Sequence, residues 1–180
     1  MNWFAVLLRG VNVNGITVKS ADLRDCLSAL PVRSVKTLLA SGNVVLQTQL
    51  SAAELKKQVE TALRERFNYD AWVVVLSGAR VAELVAACPF PADSAELHCY
   101  LTLSSDPHAL EQLVAQAQAQ GESTMTQLGP EAVAWTVAVG QTLEAPASKL
   151  TAKAAFKAST TTRNLRTMIK IRDAAPAQRL

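Results

Sequence analysis

The sequence has few cysteines, few aromatics and no long apolar run, and each shortage excludes a class of protein. Cys26, Cys88 and Cys99 are odd in number and widely spaced, with no CxxC pair and no histidine at metal-ligand spacing. This argues against a disulfide scaffold and a zinc site, and Cys88 and Cys99 read as small hydrophobes. His98 and Cys99 are neighbours on an expected strand and point to opposite faces, so they form no joint site. His108, after Asp106-Pro107, reads as an exposed first-turn residue. Aromatic residues make up only 5% of the chain, and the first half lacks the aromatic strand positions on which an RNA-recognition sheet stacks bases. No window approaches the length of apolar run needed to span a membrane. The start MNWFAVLLRG has no basic segment before its apolar run, which ends in Arg9 rather than a small-residue cleavage site, so a cytoplasmic protein is expected. There is no P-loop, no GxGxxG and no paired-carboxylate motif.

What is present is a soluble globular composition, 49% apolar and 18% charged over 180 residues. That length suits one large domain or two of about 90 residues. The formal charge of +3 is unevenly spread. From Ala145 onward there are eight basic residues (Lys149, Lys153, Lys157, Arg163, Arg166, Lys170, Arg172, Arg179) against Asp173, giving +7, and the preceding 144 residues carry −4.

The apolar run WFAVLL, residues 3–8, predicts a strand buried on both faces. Ser20 reads as the N-cap of a helix ended by Pro31. Residues 34–40 and 44–48 read as strands joined by a tight turn at Gly42-Asn43. Ser51 and Glu54 form a capping box for a long helix towards Phe67, and AWVVVLS reads as the next strand. The order β-α-β-β-α-β is the ferredoxin-like pattern. Ser77 then caps a short helix that breaks into a linker at Pro89-Phe90-Pro91.

Beyond the linker the order restarts, with a strand at 97–103, a helix at 107–120 and strands at 124–128 and 132–139. The expected architecture is thus α+β, two ferredoxin-like halves in tandem, residues 1–88 and 89–180, the second remodelled into a basic helical tail. In that tail Ser148 is read as capping SKLTAKAAFK, with Lys149, Lys153 and Lys157 on one helix face. Thr160 to Thr162 then precede a helix, RNLRTMIKIRD, with Leu165, Met168 and Ile169 on one side and Arg163, Arg166 and Lys170 on another.

A sheet order of 4-1-3-2 would set Arg9-Gly10-Val11-Asn12 beside Ser41-Gly42-Asn43. Together these loops offer a guanidinium, a hydroxyl, carboxamides and glycine backbone, the ingredients of an anion-receiving concavity. Asn12 and Asn43 equally suit turns in which they bond their local backbone. Thr162, Arg163 and Asn164, read at a helix N-terminus, suit phosphate or carboxylate. The anion could belong to a ligand or to the protein itself.

The segments LLRGVNVNG, SGNVV and TTRNLRT, in this order, resemble the bacterial domain-of-unknown-function family numbered 1697. The resemblance implies two ferredoxin-like halves and no established activity. Asn14 stands where the family usually has glycine, Leu46 where phenylalanine is frequent, and Leu165 where tryptophan commonly follows TTRN.

The leading expectation is a binding module for a phosphate-bearing ligand, a nucleotide or nucleic acid. Its contacts are Arg9, Asn12, Ser41, Asn43, Thr162, Arg163 and Asn164, with electrostatic support from Lys149, Lys153, Arg166 and Lys170. No metal and no cofactor are expected, and the protein is expected as a monomer or homodimer. The alternatives are an enzyme acting on a phosphorylated small molecule, and a structural or protein-interaction role in which the motifs clamp the halves together. No catalytic motif is identifiable.

Overall fold

A computed structural model describes residues 1–13, 15–122 and 124–175, with the backbone alone of Asn12 and Val13. Asn14, Arg179 and the Asn12 side chain lie outside the described residues. The structure is mixed α/β, with two four-stranded antiparallel sheets and, among the described residues, seven α-helices. It divides into two units. One contains Met1–Ala82 and the chain from Lys170 onward, and the other contains Glu83–Ile169.

The first unit runs β1 (Asn2–Leu8), the short ribbon β2 (Asn12–Val13) and β3 (Ile16–Thr17), α1 (Ser20–Ser28), β4 (Val32–Leu38), β5 (Asn43–Thr48), α2 (Ala52–Phe67) and β6 (Val73–Ser77). Its main sheet has the order β4-β5-β1-β6 with every neighbouring pair antiparallel. Strand alternation sends Phe4, Val6 and Leu8 to the side of Leu23 and Leu27 of α1 and of Leu55, Val59 and Leu63 of α2, forming the main core. Ala5, Leu7, Val45, Val74 and Leu76 point to the opposite face and are buried too. The unbroken apolar run of β1 thus has a side chain to bury on each face.

Helix α2 begins with the expected capping box: the Ser51 hydroxyl accepts from the Glu54 N–H, and the Glu54 carboxylate accepts from the Ser51 N–H. Helix α1 differs from expectation. Its N-cap is Lys19, which makes no side-chain capping bond, and Ser20 is already helical. The turn between β4 and β5 spans residues 39–42, so Asn43 opens β5 instead of sitting in the turn.

Helix α3 (Gly78–Ala87) is capped by Ser77, whose hydroxyl accepts from the Arg80 N–H. The second unit continues with β7 (Leu97–Ser104), α4 (Pro107–Ala119), β8 (Thr126–Gly129), β9 (Ala132–Ala138), α5 (Pro146–Thr151), α6 (Ala154–Lys157), β10 (Thr160–Asn164) and α7 (Leu165–Ala174). Its sheet has the order β10-β7-β9-β8. Asp106 caps α4 by accepting from the His108 and Ala109 N–H groups, with Pro107 in the first turn. Ala109, Leu113 and Ala117 of this helix pack with Leu150 and Phe156.

The tail departs most from expectation. Thr160 to Asn164 form a strand, not the start of a helix, and supply the fourth strand of the second sheet. Three consecutive β-branched threonines favour extended backbone, and pairing with β7 decides the matter. The cap role falls to Asn164, whose Oδ1 accepts from the Arg166 N–H as α7 begins at Leu165. Leu165, Met168 and Ile171 form its buried side.

SKLTAKAAFK is likewise two helices. Pro146 opens the first, with Ala145 as its N-cap and Ser148 inside, while Lys153 is extended at the start of the second. Thr151 donates to the Ser148 carbonyl as the first helix ends, a local bond that competes with continuation. Lys149, Lys153 and Lys157 therefore do not share one helical face.

Candidate functional site

In the first unit, the loop after β1 and the turn before β5 lie against each other. The Leu8 N–H donates to the Gly42 carbonyl at 2.9 Å, and the Arg9 N–H donates to the Trp72 carbonyl at 2.9 Å. A methyl group built at Gly42 would stand 2.8 Å from Leu8 Cβ and 2.8 Å from Val11 Cγ1, so the loops touch where only a hydrogen fits. Gly42 also has φ +69°, a region open to glycine at little cost. The two polar segments expected to share one end of the sheet do so, with Gly42 as the point of contact.

Their side chains divide in role. Arg9 is half-buried, and this burial holds its guanidinium below its ordinary pKa because the charged form loses hydration. Ser41 is exposed. Asn43 is 1% exposed, and its carboxamide donates to the Leu38 carbonyl at 3.0 Å and to Ser41 Oγ at 2.8 Å. Both Nδ2 hydrogens are thereby used in tying the turn, the local role that a turn asparagine fills. Asn43 consequently positions Ser41, and its amide N–H groups face inward.

The other expected contacts lie on β10 in the second unit. Thr162 shares a hydrogen bond of 3.0 Å with Thr102, whose hydroxyl also accepts from the Trp135 indole N–H at 3.0 Å. Asn164 is engaged in capping α7. Arg163 is only 7% exposed and donates through Nη1 to Thr161 Oγ1 at 2.7 Å and to the Thr162 carbonyl at 2.9 Å. Register places Arg163 opposite Leu101 and Thr161 opposite Leu103, on the sheet face away from Trp135 and Thr102. Burial at this depth requires hydrogen bonds to the charge, and those two threonine oxygens supply part of them.

The supporting cations are distributed rather than aligned. Lys149 pairs with Glu144 at 2.8 Å, Arg166 donates to the Ala92 carbonyl at 2.7 Å, and Lys153 and Lys170 are exposed. Glu144 lies one residue before the segment that carries the +7 charge, so part of that charge is locally offset. Among the described residues no group of three or more His, Cys, Asp or Glu side chains is placed to hold a metal ion. No helix in them is long and apolar enough to cross a membrane.

Two side-chain contacts are not visible in the sequence. Thr102 links Trp135 to Thr162 from within a strand, and only its polarity on an otherwise buried sheet marks it. Cys88 and Cys99 meet across 11 residues, a long-range contact with no spacing signal.

The pattern of the family described as proteins of unknown function, DUF1697, matches residues 1–133. The chain belongs to this family. The matched span contains LLRGVNVNG and SGNVV, while TTRNLRT follows it. Among solved structures, the DUF1697 chain is similar to the conserved bacterial protein SP0830 from Streptococcus pneumoniae. The two are 22% identical, with a TM-score of 0.76 and coverage of 97% of this chain and 99% of the other. That likeness establishes a common fold. No curated protein matches the chain.

Proposed function

We propose that this DUF1697 protein is a binding module for a phosphate-bearing ligand, a nucleotide or nucleic acid, received at the loop pair around Arg9 and Ser41. The carrying observation is the close seat of Gly42 on Leu8 and Val11, which fixes an arginine-bearing loop against a hydroxyl-bearing turn. Arg9 is partly desolvated, so an anion regains for its guanidinium the stabilisation that burial removes. Ser41 is exposed, and the N–H that it receives from Asn43 fixes its oxygen beside the arginine loop.

The same reading takes both units as ferredoxin-like. Numbered by order within each unit, the main strands of both sheets run 4-1-3-2, and TTRN supplies strand 4 of the second. It also places the protein in the cytoplasm, where nucleotides and RNA are available.

The test is binding of single-stranded RNA, double-stranded DNA and a nucleotide panel across a salt series. For nucleic acid, log affinity is expected to fall against log salt with a slope of about −0.7 to −0.9 per neutralised phosphate. Arg9→Ala is expected to weaken binding by about 10- to 100-fold, the worth of a hydrogen bond to a charged group. Affinity indifferent to salt and to Arg9 contradicts the proposal.

A structural role for TTRN is favoured by one observation, the burial of Arg163 with bonds to Thr161 and Thr162. Arg163→Met is expected to cost about 1–3 kcal/mol in urea unfolding, because Thr161 loses a charged donor inside the protein. The binding of nucleotides by that variant, once folded, should match the wild type if TTRN serves structure alone.

A further inference from the structure

Cys88 directly follows α3, and Cys99 is the third residue of β7. Their sulfurs are 3.6 Å apart and share a hydrogen bond. Cys88 is half-buried and reachable from solvent, whereas Cys99 is buried. A disulfide requires an S–S separation of about 2.0 Å, so the pair must close by only about 1.6 Å. Cys26 makes a different contact, donating to the Ala62 carbonyl.

We propose that Cys88 and Cys99 form a reversible redox pair that undergoes thiol–disulfide exchange with small-molecule disulfides. In the first step the Cys88 thiolate attacks one sulfur of a disulfide RSSR. The S–S bond breaks, one RS⁻ leaves and is protonated, and a mixed disulfide remains on Cys88. Cys99 then gives its proton to solvent and attacks the Cys88 sulfur, expelling the second RS⁻. Two protein thiols are oxidised by two electrons, and RSSR is reduced to two RSH.

The difference in surroundings sets this order. Cys88 is the more accessible of the two and meets an external disulfide first, whereas Cys99 is buried. The hydrogen bond that the thiols share and the Phe90 N–H lower the Cys88 thiol, and the shared bond and burial push Cys99 up. Cys88 is therefore the attacking sulfur and Cys99 the resolving one. Closure fastens the Pro89-Phe90-Pro91 segment to β7, and excess thiol reopens it.

The experiment treats the full-length protein with oxidised glutathione, blocks remaining thiols by alkylation and maps the peptides without reduction. The proposal expects the three free thiols to fall to one, Cys26, with an intramolecular 88–99 link that excess reduced glutathione removes. In Cys99→Ser, glutathione should stay attached to Cys88. In wild type at early times the same adduct should appear transiently, which preserves the test if that variant fails to fold. Three thiols still alkylated, a link through Cys26, or a link joining two chains would overturn the proposal.

Discussion

Trp135→Ala lowers the stability of the second unit by about 3–5 kcal/mol, the range for truncating a large buried aromatic side chain. Trp135 is fully buried on β9, stacked on Tyr100 with ring centroids 5.0 Å apart and packed with Ala145 and Ala147. Its indole N–H donates to Thr102, which in turn bonds Thr162 of β10. One substitution therefore empties a cavity and removes a donor from a three-strand hydroxyl relay. A domain's whole stability is about 5–15 kcal/mol, so this loss is a large fraction of it. Trp135→Phe keeps most of the apolar bulk and should cost distinctly less, about 1–2 kcal/mol, mainly for the missing hydrogen bond. Urea unfolding followed by far-ultraviolet circular dichroism separates the two. Midpoints of both variants equal to that of the wild type would contradict the expected loss of packing and hydrogen bonding.

Gly42→Val is the second large effect, and it bears on the site. A Cβ at this position lies 2.8 Å from both Leu8 Cβ and Val11 Cγ1, and the first of these is anchored to the backbone of a buried strand. The φ of +69° adds left-handed strain that a β-branched residue tolerates poorly. Strain of about 1–2 kcal/mol and overpacking of about 1–3 kcal/mol together predict a loss of about 2–5 kcal/mol. Gly121→Ala is the control, because φ there is +94° and no atom lies within 4 Å of the added carbon. It suffers strain without collision and should lose much less. Ligand binding should fall in Gly42→Val beyond what the unfolded fraction explains, since the arginine loop is pushed off its turn.

Much of the fold was legible because local signals and burial agree. The WFAVLL run, the Ser51 and Glu54 box, the Ser77 cap and the exposed His108 after Pro107 each rest on a short-range rule. The tail was illegible for the same reason reversed. A run of threonines before an amphipathic stretch fits both a cap and a strand, and only pairing with β7, nearly 60 residues away, decides between them. The lysine spacing of SKLTAKAAFK suggested one helix, yet spacing carries no information about the break at Ala152 and Lys153.

At the candidate site, the meeting of the two loops could be foreseen from strand order, whereas the fate of each polar group could not. Asn43 and Ser41 are similar as sequence signals. One is buried with both amide hydrogens used in the turn, and the other is exposed. Arg9 and Arg163 show the same contrast: both follow apolar or β-branched runs, but one is half-buried at the end of β1 and the other lies within a sheet.

The most direct test of the central claim is amide chemical-shift mapping of the nitrogen-15-labelled protein during titration with a nucleoside triphosphate. Saturable shifts are expected centred on Arg9, Gly10, Ser41 and Gly42, lost in Arg9→Ala while the remaining spectrum is unchanged. Saturable shifts confined to other parts of the chain, or none across the titration, would contradict it.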